Sequence, residues 1–315
     1  MHLPPETHKE KEYHNRLRKV LAYIQENLTS DIPLSRMAEI ANFSPFHFQK
    51  LFTRQVGESP KKYVLRLRIE RMAHILKLYP ELSVFEISLQ SGFSSPSTFG
   101  RAFKKYYGIS PDEFRKLSPS EISKICTSVS NKGIEVIINS NDFWNVNYDD
   151  PGIDTKTPGE QLTVIKQRSL KVAFIDTHLG AETSISDAFK SLHSIVNPRE
   201  LLTPETRFIG IFLDLPFFTE LSKCRFRACI SLTDALEIPK GVSVYTIPEN
   251  RFAVFSALGN LTGTLKKLVA FKHNMLDGSG YKIAETIGYE EYPVNPALAD
   301  YTLFERKVFV PVKPA

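Results

Sequence analysis

One motif occurs twice in the first third of the chain, and this duplication restricts the fold more than any other feature. Phe48, Phe52, Gly57, Ser59-Pro60 and Tyr63 recur 51 residues later as Phe99, Phe103, Gly108, Ser110-Pro111 and Phe114. Aromatic residues four positions apart share one face of a helix, and a glycine followed by Ser-Pro ends that helix and begins another. The repeat therefore predicts one helical unit used twice.

Ser-Pro pairs mark helix starts throughout this block. A serine before the helix caps free backbone N–H groups, and proline is tolerated at the first helical position because its missing N–H would be unpaired there. Apolar residues recur at helical spacing from Tyr13 to Leu117, so the block is predicted to be all helical, with about seven helices. The expected helices are 13–28, 34–41, 45–56, 60–77, 84–90, 96–107 and 111–117.

Each repeat contains a short helix, a tight turn and a second helix, which is the helix-turn-helix arrangement. The turns are Asn42-Phe43-Ser44 and Ser91-Gly92-Phe93. In this arrangement the second helix enters the major groove of DNA. The outer faces of the two second helices carry residues able to contact bases and phosphates, namely Phe46, Gln49, Lys50 and Thr53, and then Ser97, Thr98, Arg101, Lys104 and Lys105. A solvated helix face is the alternative for either copy alone.

The helix predicted over 60–77 joins the two units. It is about 27 Å long at 1.5 Å per residue, which suits two recognition helices roughly 34 Å, or one DNA turn, apart. Its apolar stripe, Leu65, Ile69, Met72 and Leu76, is expected to pack inward. Arg66, Arg68 and Arg71 are then expected to be partly available to phosphates, with a structural role as the alternative for one of them.

The distribution of charge agrees with a DNA partner for this block. The chain has a net charge of +5, which alone implies little. Residues 1–117 contain 19 Lys/Arg and 12 Asp/Glu, net +7, whereas the remainder contains 21 and 23, net −2. All of the positive excess therefore belongs to the helical block.

Residues 9–117 resemble the AraC/XylS family of transcriptional regulators. The resemblance is carried by LSRMAEIANFSPFHFQKLF and by ISLQSGFSSPSTFGRAFKKYYGISPDEFR. It implies a double helix-turn-helix DNA-binding domain over 9–117 in a transcription regulator, with promoter DNA and RNA polymerase as partners. An activator is expected, with a repressor as the alternative. It also implies base readout by Phe46, Gln49 and Lys50 and by Pro96, Ser97, Thr98 and Arg101, although Pro96 cannot donate where relatives often carry a polar residue.

The composition changes after this block. Residues 118–160 are rich in Ser, Asn, Asp, Pro and Gly, which predicts a linker with one attachment strand at Gly133–Ile138. Over 161–315 an α+β domain is predicted, with strands in 163–174, 207–213, 225–232, 243–258 and 301–312 and helices in 183–195 and 263–276. Alanine followed by glycine before a helix, at Ala173/Gly180 and Ala253/Gly259, favours a duplicated strand-helix-strand-strand unit.

Residues 162–313 resemble the GyrI-like effector-binding domain. The matching segments are RFIGIFLDLP, RFRACISL, RFAVFSALGN, GYEEYPVNP and VFVPVK. The resemblance implies a small-molecule-binding domain that senses an effector, including multidrug sensing, and it places the pocket carboxylate at Glu290. Two departures are Phe271 and His273 near positions where relatives carry tryptophan, and Asn295-Pro296 in place of Asp-Pro.

Strand periodicity places Glu290 and Tyr292 on one face, with Glu291 on the other. A carboxylate among aromatic rings is costly unless it is paired, so such a site favours a lipophilic cation as effector. The expected aromatic walls are Phe174, Phe212, Tyr245, Phe255 and Tyr301. A solvated strand residue is the alternative for Glu290.

Other functions remain open for the C-terminal domain. It could contact a partner protein, such as a gyrase-like protein or a polymerase, or it could be a hydrolase in which Glu290 is the base and Tyr292 the acid. No enzyme activity, cofactor or metal is expected, because Cys126, Cys224, Cys229 and the histidines lack ligand spacing and no phosphate loop is present. No targeting or membrane segment is apparent, which predicts a cytoplasmic protein. The oligomeric state is left open.

Overall fold

The computed structural model of the protein describes residues 8–117, 121, 125, 162–178, 183–199, 201–214, 219, 223–232, 242–276, 278–284 and 286–315. The chain divides into two compact units, Met1–Ser118 and Pro119–Ala315. The predicted strand at 133–138 and Cys126 lie outside the described residues. Within the described ranges, no helix has the length and apolar character needed to cross a membrane.

The first unit is helical, as predicted. Its helices are α1 (His8–Glu26), α2 (Leu34–Ile40), α3 (Pro45–Val56), α4 (Pro60–Leu78), α5 (Val84–Leu89), α6 (Pro96–Tyr107) and α7 (Pro111–Lys116). Only the first departs clearly from expectation, because it begins at His8 and ends at Glu26. The serine hydroxyls that precede the prolines cap the helices by accepting a backbone N–H from three residues on, at Ser44, Ser59, Ser95 and Ser110.

Positive φ angles occupy matching positions in the two helix-turn-helix repeats of the first unit. Gly57 and Gly108 end α3 and α6 with φ of 82° and 83°. In the turns before α3 and α6, Asn42 has φ of 55° and Gly92 has φ of 70°. A Cβ on Gly92 would lie 2.9 Å from the Leu28 carbonyl oxygen, so this turn requires glycine for space as well as for conformation.

The joining helix α4 is buried along most of its length. Ile69, Met72 and Leu76 pack inward as predicted. The expectation is wrong for Leu65, which is 39% exposed. Arg66 is 5% exposed and has the structural role that was the alternative for one of the arginines. Arg66 is buried because two carboxylates, those of Glu58 and Glu70, surround its guanidinium group.

The second unit is an α+β domain built on one antiparallel sheet. Its strands are β1 (Thr163–Gln167), β2 (Leu170–His178), β3 (Phe208–Phe212), β4 (Arg225–Ser231), β5 (Ser243–Ile247), β6 (Asn250–Ala257), β7 (Tyr281–Ile283), β8 (Tyr289–Tyr292) and β9 (Arg306–Pro314). The main strand order is β1-β6-β9-β8-β3-β4-β2-β5, and β7 pairs with the far end of β9. Helices α8 (Thr183–Val196) and α9 (Leu261–Phe271) follow β2 and β6, and α9 continues as a π-helical segment, Lys272–Leu276.

Three sequence predictions differ in detail from this sheet. The segments 163–174 and 243–258 are each interrupted by two residues and so form two consecutive strands. The two segments pair with each other, β1 with β6 and β2 with β5. The segment 301–312 begins as a 3₁₀ turn at Tyr301–Leu303, and its strand starts only at Arg306. Strand β7 has no counterpart among the predicted strands, whereas β8 is the strand implied by the alternation of Glu290 and Tyr292.

The predicted duplication organises the sheet. Ala173 pairs with Ile230 in the first half, and Ala253 pairs with Val310 in the second, both 80 residues further on. The two halves meet where β3 pairs with β8, and there Gly210 lies opposite Glu290, again 80 residues apart. The strand order therefore reads as two equivalent halves related by a pseudo-twofold axis between Gly210 and Glu290.

The two faces of the sheet bury different side chains. One face packs on α8 and α9 and carries Phe226, Tyr292 and Val308. The opposite face carries Phe174, Ile209, Tyr289 and Phe309 in a separate cluster. Glu290 and Tyr292 share the helix-packed face, since alternate residues of a strand point to the same side.

Gly210 is expected to tolerate no side chain. A Cβ there would lie 2.7 Å from both the Phe226 ring and the Tyr292 hydroxyl, so Gly210→Ala should lower the free energy of unfolding of the second unit by about 1–3 kcal/mol. Urea unfolding of the full chain, monitored by hydrogen exchange of the β3 and β8 amides, measures this loss of stability. Gly263→Ala is the matched control in α9, where the nearest atom is 3.4 Å away. Equal stability of the two variants would contradict the tight packing around Gly210.

Candidate functional site

Helix α3 presents a polar outer face with one large exposed ring. Phe46, Gln49, Lys50 and Thr53 are all exposed, while Phe48, Leu51 and Phe52 on the inner face are buried. Phe46 is 71% exposed, and the Lys50 ammonium lies 4.4 Å from the centre of its ring. Thr53 donates its hydroxyl hydrogen to the Gln49 carbonyl, 2.8 Å away, so its oxygen is left as an acceptor. The structure brings these four predicted residues together on one surface.

Helix α6 presents the corresponding face of the second helix-turn-helix repeat. Ser97, Arg101, Lys104 and Lys105 are exposed, and the inner face is formed by Phe99, Phe103 and Tyr107. Thr98 is half-buried, because its side chain lies against the helix cap with its hydroxyl 2.9 Å from that of Ser95. Three cationic side chains therefore dominate the outer face of α6.

Within the helical unit, a buried polar network holds α4 between the two helix-turn-helix repeats. Arg66 donates from Nε to Glu58, 2.7 Å away, and from Nη1 to Glu70, at 3.1 Å. Tyr106 on α6 donates its hydroxyl to the other oxygen of Glu70, at 2.7 Å. Burial opposes the charge on Arg66, but Glu70 and Glu58 more than offset it and raise the pKa of Arg66. The network links the end of α3, the middle of α4 and the end of α6.

In the second unit, Glu290 is a buried carboxylate. Its side chain is 2% exposed, and its Oε2 accepts hydrogen bonds from the Tyr292 hydroxyl, at 2.8 Å, and from Arg306 Nε, at 3.0 Å. Its other oxygen, Oε1, is buried with no hydrogen-bond partner among the described residues. Burial raises the pKa of Glu290 against the opposing effects of Arg306 and Tyr292. A buried acceptor without a donor is costly, so this oxygen is suited to a ligand donor or cation.

Arg306 supplies a charge that the sequence did not reveal as part of this site. It is 1% exposed and donates from Nη1 to the Gly259 carbonyl at 2.8 Å, and from Nη2 to the Asn260 carbonyl and the Thr264 hydroxyl. Its guanidinium also lies 5.4 Å from the centre of the Tyr301 ring. A signal was available, because strand alternation places Arg306 on the same face as Val308, Val310 and Val312, and an inward-facing arginine requires a partner.

The structure gathers only some of the predicted aromatic walls around Glu290. Tyr292 contacts Phe189 of α8 edge-on at 5.4 Å between ring centres, and Tyr301 lies 6.3 Å from Tyr292. Phe212 lies on the same face and packs on Phe226 at 5.0 Å. The rings near the carboxylate thus come from both halves of the sheet.

The remaining predicted aromatic residues lie elsewhere. Phe255 stacks on Phe271 at 4.7 Å and is on the same face as Glu290, but Val308 of β9 lies between them in the sheet. Phe174 and Tyr245 lie on the opposite face of the sheet, where the Arg227 guanidinium is 4.3 Å from the Phe174 ring and 5.3 Å from the Tyr245 ring. Their strand parity separates them from Glu290.

Metal-binding groups are not found in the described part of the chain. No three His, Cys, Asp or Glu side chains there are placed to share an ion. Cys224 and Cys229 are buried free thiols, and burial raises the pKa of Cys229. A buried thiol of raised pKa is a poor nucleophile.

Two family models match the chain. The first, described as a helix-turn-helix domain, matches residues 37–117. The second, described as a GyrI-like small molecule binding domain, matches residues 160–313. The two ranges include both recognition helices and Glu290.

Known proteins resemble the first unit. The Msm operon regulatory protein of Streptococcus mutans is 35% identical over 115 residues, which cover 36% of this chain and 40% of that protein. The HTH-type transcriptional activator AarP of Providencia stuartii is 33% identical over 99 residues, covering 31% of this chain and 73% of AarP. The solved DNA-binding domain of AdpA in complex with a target DNA is 27% identical, with a TM-score of 0.30 and coverage of 32% and 89%. The chain thus spans less than half of the first of these relatives.

Proposed function

The chain belongs to the AraC-type helix-turn-helix transcriptional regulators and carries a GyrI-like small-molecule-binding domain, and we propose that it is an effector-responsive activator. In this proposal α3 and α6 read promoter DNA, and a small lipophilic cation binds beside Glu290. The observation that carries the effector assignment is the buried Oε1 of Glu290, which has no partner among the described residues.

The DNA-reading role follows from the exposed faces of the two recognition helices. Gln49 offers both a donor and an acceptor, which suits an adenine edge, and Arg101 can make two parallel hydrogen bonds to guanine. Lys104 and Lys105 are exposed in the last turn of α6, where they suit phosphates. Phe46 supplies an apolar surface that suits a thymine methyl group, with Lys50 held against its ring.

The activator role is supported by the relative AarP, whose name describes a transcriptional activator. RNA polymerase is the corresponding protein partner. In a reconstituted reaction with purified bacterial polymerase, the protein should raise transcription from a template that carries its binding site. A fall in transcript would instead assign a repressor.

Arg101 is expected to specify sequence, whereas Lys104 and Lys105 are expected to supply affinity. Arg101→Ala should lose about 1–3 kcal/mol of discrimination at one base pair of the bound site. Lys104→Ala and Lys105→Ala should each weaken binding to all sequences. Each should also reduce the slope of log Kd against log salt concentration by about one. Mobility-shift titrations at several salt concentrations separate these effects. Unchanged sequence preference in Arg101→Ala would remove it from base readout.

Glu290 is expected to recognise the charge of the effector. We choose N-methyl-4-phenylpyridinium, a flat cation, and 4-methylbiphenyl, its neutral counterpart, as matched probes. Isothermal titration of the full chain should show binding of the cation but not of the neutral molecule, and Glu290→Gln should weaken cation binding at least about 10-fold.

Glu291→Gln is the matched control for that experiment. Glu291 is the next residue, but it lies on the opposite face of the sheet in a bidentate ion pair with Arg207, with both distances 2.8 Å. Its substitution should leave cation binding unchanged. Equal binding by wild type and Glu290→Gln would contradict the role of the carboxylate.

A further inference from the structure

Within the site proposed above, the charge of Glu290 is already balanced. The carboxylate and the Arg306 guanidinium are both almost completely buried and lie 3.0 Å apart. A cation that simply joined this pair would bury a positive charge with no counter-ion. Such a charge is strongly disfavoured in an apolar interior, so addition of the effector is the less favourable route.

Arg306 is also the tether between β9 and the start of α9. It donates to the carbonyl oxygens of Gly259 and Asn260, which precede the helix, and to the Thr264 hydroxyl in its first turn. Asn260 in turn caps α9, because its side-chain oxygen accepts the Gly263 N–H at 3.0 Å. The first turn of α9 therefore depends on where the Arg306 side chain lies.

The position of Arg306 is favourable only while Glu290 is its partner. The guanidinium lies beside the N-terminus of α9, where the helix dipole is positive and repels a cation. If another cation occupied Glu290, Arg306 would lose its counter-ion. The neutral acceptors at the start of α9 do not compensate for that loss in a buried site, so the guanidinium would leave them. The chain before α9 lies near the surface, since Leu258 is exposed and so is Leu303, which follows Thr302. The Gly259 N–H donates to the Thr302 carbonyl at 3.1 Å and joins these two segments.

Among the described residues of the first half, the corresponding positions do not form this arrangement. Eighty residues earlier, Glu290, Tyr292 and Arg306 correspond to Gly210, Phe212 and Phe226. The Phe226 ring fills the space over Gly210 that a side chain would need. The Glu290–Arg306 ion pair is thus not repeated at the corresponding positions of the first half.

We infer that Arg306 is a built-in counter-ion that a cationic effector displaces from Glu290, and that this exchange loosens the first turn of α9. The inference rests on the proposed function, since it assumes that the effector binds at Glu290. It makes Arg306 a determinant of affinity and specificity: only a ligand that competes with a guanidinium for the carboxylate releases the helix.

Hydrogen exchange of the full chain tests the release. Saturation with N-methyl-4-phenylpyridinium should speed exchange of the amides at 261–265 by at least about 10-fold, because the tether is lost. The neutral 4-methylbiphenyl should leave these amides unchanged. Arg306→Met should show fast exchange at the same amides without any probe.

Thr264→Val tests the competition while leaving the Glu290 contacts in place. The substitution removes one acceptor of Arg306, so the cation should bind about 2- to 10-fold more tightly than to wild type. This variant keeps the test decisive if Arg306→Met does not fold. Glu291→Gln again serves as the control with unchanged affinity.

The outcomes separate the two proposals. Cation binding that depends on Glu290, with faster exchange in α9 and tighter binding to Thr264→Val, supports the exchange. Glu290-dependent binding with unchanged or slower exchange and no gain in Thr264→Val overturns the exchange but leaves the effector site intact. No binding of the cation to wild type or to Thr264→Val overturns the proposed effector site and the exchange with it.

Discussion

The geometry of the DNA-reading unit depends on the buried polar network around α4. Arg66 and Glu70 lie inside the helical unit, with Glu58 at the end of one repeat and Tyr106 on the recognition helix of the other. If one member of this network moved away, its partners would be left as buried charges without a counter-ion, which is costly. The network thus favours one arrangement of α3 and α6, which is what a reader of two neighbouring groove segments requires.

The second unit shows how a duplicated sheet acquires a single specialised site. Both halves keep the same strand pairing, yet the positions around the axis have diverged to Glu290, Tyr292 and Arg306 in one half and to Gly210, Phe212 and Phe226 in the other. The missing side chain at Gly210 leaves room for the Tyr292 hydroxyl and the Phe226 ring. The apolar half therefore supports the polar half directly, and the ionic site is made from both.

Much of this architecture was predictable because its signals are local. Serine caps, prolines and left-handed glycines define the helices of the first unit within a few residues, and the alternation of strand residues placed Glu290 and Tyr292 together. Non-local partners were not predictable in the same way. Arg66 is buried and Leu65 is exposed because Glu58, after α3, pairs with Arg66, and Tyr106 of α6 holds the second partner, Glu70. Phe174 and Tyr245 fell on the opposite face because their strand parity is set by pairing with β4 and β2.

In the proposed function, the two linked recognition helices read one bipartite DNA site. Selection of bound sequences from a random DNA pool by the full chain tests this reading most directly. Two short motifs should be enriched, with their centres about 10–10.5 base pairs apart, one turn of DNA. Enrichment of a single motif, of two motifs at variable spacing, or of no sequence at all would contradict it.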